Sequence, residues 1–250
     1  MQANIKGTTM PILEVALNDG EEVISTHGEL AWMTQSIQLS QRMGTGGPGG
    51  GGLMAGLKRA VGGGGVFITH YGGPGAITFA AKAPGHIMPV EIDPGQAYFV
   101  HRHGWLCGTP GIVPSMGFQQ SFRGGMFGGD GFVLQKLEGQ GTAWIELSGE
   151  LTTYDLPPGQ TLLVHPGHVG MFAGSVSFQI TRVPGIMNMA FGDDGFHLVA
   201  LTGPGQVWLQ SMPLPILAHA LQPYLTTQSA AAPVEGGVVG GIIGNIMRGQ

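Results

Sequence analysis

The feature that most constrains this chain is an eight-residue string that occurs twice with its Pro, Gly, Gln, Val and His shared, and a third time in weaker form. Pro94-Gly95-Gln96-Ala97-Tyr98-Phe99-Val100-His101 aligns with Pro158-Gly159-Gln160-Thr161-Leu162-Leu163-Val164-His165, and Gly20-Glu21-Glu22-Val23-Ile24-Ser25-Thr26 is the weaker copy. Each copy is followed by a Gly-x-Gly string that enters an apolar run: Gly73-Pro74-Gly75, Gly139-Gln140-Gly141 and Gly203-Pro204-Gly205. Gly95 and Gly141 are 46 positions apart, as are Gly159 and Gly205. From Gly20 to Gly75 the distance is 55, and the first copy alone holds a glycine-rich insertion, 44–65. Self-similarity of this kind predicts one supersecondary module used three times, over about 12–82, 83–147 and 148–212.

The module reads as β. In Pro-Gly, the proline ring pre-sets the first central residue of a turn and glycine accepts positive φ at the second, the requirement of a type II turn. The runs that follow are rich in Val, Ile, Phe, Tyr and Leu and are of strand length. Ala143-Trp144-Ile145-Glu146-Leu147 alternates, which predicts one face in a core and the other in water. Helix is expected only at Leu53 to Val61, between glycines, and at Pro215 to Leu221, before Pro223 ends it. After Tyr224 the composition turns to Thr, Ser, Ala, Pro and Gly, so residues 1–224 are expected to form one β-rich domain and 225–250 a flexible tail.

Composition narrows the functional classes. With 42% hydrophobic and 10% charged residues, the chain has ample apolar surface for a core. A formal net charge of -5, with ten Lys and Arg thinly spread, offers no basic stripe for a phosphate backbone, so no nucleic-acid partner is expected. A single cysteine, Cys107, excludes an intrachain disulfide framework and a Cys-based zinc cluster. A reducing, cytoplasmic location follows as the expectation, with no charged-then-apolar leader across Met1 to Pro11. The apolar stretch from Gly236 to Met247, with Gly236, Gly240 and Gly244 at helix-packing spacing, is too short to span a bilayer of about 30 Å as a helix. Contact of that tail with a partner or a membrane surface is the alternative to a free tail.

The residues that invite a chemical reading each lack part of a set. His101 and His103 form His-x-His at a strand end, a pattern that binds metal in cupin-type barrels, and His165-Pro166-Gly167-His168 stands at the same place in the next copy. A cupin site also needs a carboxylate shortly beyond the first pair, and the chain there reads Gly-Trp-Leu-Cys-Gly-Thr. Cys107 has a histidine nearby in sequence but not the positive surroundings and third, orienting group that an activated thiolate needs, which favours a buried, inert thiol. Glu21-Glu22 and Asp193-Asp194 lie in glycine-bearing turns and read as solvated acids. The loop Gly46 to Gly52, followed by Lys58-Arg59, lacks the Gly-Lys-Ser/Thr ending of a phosphate cradle. Met33, Met116, Met126, Met171, Met187 and Met189 either fill an irregular β core or leave apolar patches for a partner.

Taken in order, Gly56-Leu57-Lys58-Arg59, Phe127-Gly128-Gly129-Asp130-Gly131-Phe132, Gly139-Gln140-Gly141-Thr142 and Thr202-Gly203-Pro204-Gly205-Gln206-Val207-Trp208-Leu209-Gln210 resemble the altered inheritance of mitochondria protein 24 family, a domain of unknown function. The resemblance runs from about Ile12 to Met212. It implies an all-β fold similar to the tryptophan RNA-binding attenuation protein, a β-sandwich or double-stranded β-helix, with a tendency to self-assemble. It transfers no RNA, tryptophan or catalytic residues. Eukaryotic relatives are associated with organisation of the inner mitochondrial membrane, and this chain is more like a bacterial cytoplasmic member. The expectation is therefore a non-enzymatic, homo-oligomeric binding or scaffold protein without catalytic, cofactor or metal residues and with no ligand identified. Alternatives are a cupin-like metal enzyme using His101 and His103 with His165 or His168, and a peripheral membrane protein.

Overall fold

A computed structural model describes residues 1–26, 28–43, 67–120, 131–182 and 197–225. The insertion 44–65 with its expected helix and Lys58-Arg59, most of the string from Phe127, Asp193-Asp194, Met126, Met187, Met189 and the tail beyond Leu225 lie outside the described residues. The chain divides into two compact units, Met1–Ile216 and Leu217–Gln250. All of the described strands belong to the first, and the architecture is all-β.

After a leading strand β1 (Gln2–Lys6), the strands fall into three blocks of six. The first block holds β2 (Ile12–Leu17), β3 (Glu22–Thr26), β4 (Leu30–Met33), β5 (Gln38–Met43), β6 (Phe67–Gly72) and β7 (Gly75–Ala80). The second holds β8 (Gly85–Ile92), β9 (Ala97–His101), β10 (Trp105–Gly108), β11 (Ile112–Gln120), β12 (Phe132–Gly139) and β13 (Gly141–Ser148). The third holds β14 (Leu151–Leu156), β15 (Thr161–Val164), β16 (Val169–Ala173), β17 (Ser177–Arg182), β18 (His197–Thr202) and β19 (Gly205–Gln210).

Pairing follows the same plan in every block. The sixth strand lies between the first and third, and the fifth lies between the fourth and second. The blocks then join edge to edge: β3 of the first pairs with β10 of the second, and β9 of the second with β16 of the third. Two six-stranded sheets result, β5-β6-β3-β10-β13-β8 and β11-β12-β9-β16-β19-β14. Two part-sheets are left over, β1-β2-β7-β4 and β15-β18-β17.

The sequence signatures sit where their chemistry is needed. Gly20, Gly95 and Gly159 have φ of 78, 90 and 80°, each at the third position of a turn closed by a backbone bond: Glu21 N to Asn18 O, Gln96 N to Asp93 O and Gln160 N to Pro157 O. Ten residues further on, the third strand of each block carries the same irregularity. The register against the sixth strand slips between Leu30 and Trp32, between Trp105 and Cys107, and between Val169 and Met171. A register shift of this kind at one place in all three blocks is where a bulge bends a strand and increases its twist.

Three apolar layers separate the sheets. One unites Leu13, Val15, Ile77 and Phe79 with Val23, Leu106, Cys107 and Trp144. The middle layer sets Ile24, Trp105 and Ile145 against Val100, Leu137, Met171 and Trp208, and the last sets Leu134, Phe172 and Val207 against Val164, Val199 and Leu201. The six-stranded sheets are thus covered on both faces. This corrects the expectation for Ala143 to Leu147: all five residues are buried, Glu146 included, because the face assigned to water meets a second layer.

A helix, α1 (Leu214–Leu225), follows the last strand and runs through Pro223 rather than stopping before it. Proline deletes one N–H donor; in the last turn of an exposed helix the loss is confined to the carbonyl of His219. No described helix is long and apolar enough to cross a membrane.

Candidate functional site

The turn that joins the second strand of each block to the third lies where two blocks meet, and there the polar side chains collect. Between the first and second blocks, Lys82 pairs with Glu29 and lies 3.8 Å from Glu146 Oε2, while Glu146 Oε1 accepts from the Lys82 amide at 2.7 Å. Glu146 is buried, and its Oε2 has no hydrogen-bond donor. Burial raises the pKa of both carboxyls, with Lys82 opposing. Two largely buried acids thus share one ammonium that is itself 32% exposed.

Between the second and third blocks the same positions hold other residues. Five residues after its Gly-x-Gly string, the third block has Gln210 where the second has Glu146; seven after, the second has Ser148 where the first has Lys82. Gln210 Oε1 accepts from the Ser148 amide at 3.0 Å, as Glu146 accepts from Lys82. Its Nε2 donates to Gly167 O at 3.1 Å, so both ends of the amide are used. Gln210 and Ser148 are both neutral, and Ser148 is much shorter than Lys82. A cavity of about 250 Å³ opens here, lined by His101, Arg102 and His103 from one block and by Pro166, Gly167 and Gln210 from the next, with Leu214 and Pro215.

The histidines singled out from the sequence therefore belong to turns that converge on one cavity, but they do not present a ligand set. Strand β9 ends at His101, so the alternation that would align His103 with it stops there, and His103 lies exposed in the following turn. His101 Nε2 donates to the Glu146 carbonyl at 3.1 Å, which fixes the Nε2–H tautomer. Burial pushes the His101 pKa down to about 4, and the nearby His103 and Lys82 charges act in the same direction. His165 Nδ1 accepts from the Gly167 amide, and His168 Nδ1 donates to the Gln210 carbonyl at 2.8 Å. Each of these three rings thus has one nitrogen committed to the backbone. Among the described residues no three His, Cys, Asp or Glu side chains are placed to hold a metal ion.

The remaining candidates have structural surroundings. Cys107 is fully buried, and desolvation, reinforced by Glu29, raises its thiol well above the usual range. Glu21 holds the N-terminal amine and accepts from the Asn18 amide, and Glu22 pairs with His70 at 3.0 Å, so neither is a bare solvated acid. Met171 is buried, Met33 packs at the margin of a layer and Met116 is exposed. Sequence reading passed over Glu146 and Gln210. Their signal is a polar residue at one offset in two otherwise apolar runs, Trp-Ile-Glu-Leu and Trp-Leu-Gln-Ser.

The family described as mitochondrial biogenesis AIM24 matches residues 3–212. An uncharacterized protein of Streptococcus pyogenes serotype M6 is 26% identical over 223 residues, 88% of each chain. The crystal structure of a Streptococcus pyogenes protein superposes with a TM-score of 0.68 at 22% identity, over 90% of this chain and 99% of that one, a likeness of fold.

Proposed function

The chain belongs to the mitochondrial biogenesis AIM24 family, and from that premise we propose that it is a non-enzymatic scaffold that acts as a homo-oligomer. The observation that carries this is an unequal treatment of equivalent positions. Trp32 is 54% exposed, whereas Cys107 and Met171, at the same point after the bulge in the other two blocks, are both at 0%. Leu163 is 53% exposed, whereas Ile24, its counterpart in the first block, is at 2%. Large apolar side chains at such positions are surface intended for burial. Descent of the three blocks from one attenuation-protein-like module belongs to the same reading, supported by their shared bulge and turn register. A cytoplasmic setting, supported by the lone thiol, belongs to it too, and nucleic acid is no part of it.

The cavity beside Gln210 adds a place where a scaffold can bind a small molecule of mixed polarity. The cupin alternative has less support, since His101 spends Nε2 on a backbone carbonyl. Light scattering of the full chain at micromolar concentration is the test. The expected mass is a multiple of 25.9 kDa; the mass of a single chain overturns the proposal.

A further inference from the structure

We infer that the outer edge of β4 in one copy of this chain pairs antiparallel with the outer edge of β15 in a second copy, repeating between chains the junction that joins blocks within one. This rests on the homo-oligomer reading and specifies its interface.

The template is on display twice. The second strand of a block pairs with the third strand of the next, with Gly108 opposite Ile24 at the first junction and Phe172 opposite Phe99 at the second. Counting from the turn glycines and the bulge, Met33 corresponds to Gly108 and Phe172, and Leu163 to Ile24 and Phe99. Among the described strands β4, a third strand, pairs only with β7, and β15, a second strand, pairs only with β18, so neither has the inter-block partner that β10, β16, β3 and β9 have. The part-sheets β1-β2-β7-β4 and β15-β18-β17 are the two halves of a sheet like the other two. Bringing them together sets Met33 opposite Leu163 and gives Trp32 the covered setting of Cys107 and Met171.

The edge sequences point the same way. An open strand edge invites pairing, and proteins guard edges with charges or proline. Among the described residues, four sheet edges carry such a guard: Lys6 in β1, Pro89 and Glu91 in β8, Pro114 in β11 and Asp155 in β14. The strands β4, Leu-Ala-Trp-Met, and β15, Thr-Leu-Leu-Val, carry none along their whole length. Because two different surfaces meet, the contact is heterologous and propagates into a ring or a filament.

The test exploits that polarity. Trp32→Lys and Leu163→Lys each place a charge on one edge and leave the other intact. Each variant alone is expected to fall to the single-chain mass, at a concentration where the unaltered chain is assembled and with the strand signal in circular dichroism retained. Mixed in equal amounts they are expected to form a two-chain species, since each supplies the edge the other lacks. If either variant keeps the full assembled mass, or the mixture stays at single-chain mass, the β4–β15 contact is wrong while the homo-oligomer reading stands; a monomeric unaltered chain ends both. As a check independent of charge, Met33→Cys and Leu163→Cys chains mixed under oxidant are expected to give a covalent dimer, since facing residues of antiparallel strands lie within disulfide reach. Absence of that dimer in an assembled mixture overturns the register.

Discussion

Replacing Phe172 with alanine lowers the free energy of unfolding by about 3–5 kcal/mol, the range for removing a buried aromatic ring from a packed core. Phe172 is fully buried on β16, directly opposite Phe99 across the junction between the second and third blocks. Its ring stacks on Phe99 with centroids 5.2 Å apart and meets Phe178 at 5.5 Å, while Phe118 closes the group by an edge contact to Phe178 at 4.9 Å. These rings come from β9, β11, β16 and β17, so the deletion opens a void that four strands in two sheets would have to move together to fill. With total stabilities of about 5–15 kcal/mol usual for single domains, denaturant titration is expected to show a midpoint shifted by a large fraction of its value. A shift below about 1 kcal/mol would mean that the third apolar layer is not packed as described.

Gly139→Ala is the second large effect, and its cause is backbone rather than core. Gly139 ends β12 opposite Ile112 with φ of 109°, a region that costs a residue with a side chain about 1–3 kcal/mol. A Cβ there would also stand 2.1 Å from the Gly111 carbonyl oxygen, which belongs to the neighbouring backbone and cannot swing aside. The expected destabilisation exceeds about 3 kcal/mol. Gly95→Ala is the internal control: its φ of 90° carries the same kind of strain, yet nothing lies within 4 Å of the added Cβ. Thermal unfolding of the two variants side by side is expected to place Gly139→Ala well below Gly95→Ala; equal midpoints would refute the close approach of β11 and β12 at that point.

The β character, the three turn glycines and the strings that enter the sixth strands were legible because turn chemistry is local: a Pro-Gly step demands one geometry wherever it stands. Two things were hidden for the opposite reason. That Glu146 is buried depends on a second sheet covering its face, and alternation in one strand is silent about what lies across it. The pairing of β3 with β10 and of β9 with β16 joins residues of different blocks, so no short window contains it. The convergence of the His101 and Pro166-Gly167 turns on one cavity follows from that pairing and was equally out of reach. Helix α1 was foreseen in place but not in extent, because a proline near a helix end removes only one bond.

The central claim, that two unguarded edges complete each other between chains, is read most directly by amide hydrogen exchange on the unaltered protein as a function of concentration. The account predicts that the outward-facing amides of Leu30–Met33 and Thr161–Val164, those not bonded to β7 and β18, exchange slowly when the chain is assembled and become fast together on dilution, as a hydrogen-bonded ladder comes apart. Fast exchange of these outward-facing amides at every concentration, or protection of them that dilution leaves unchanged, would contradict it.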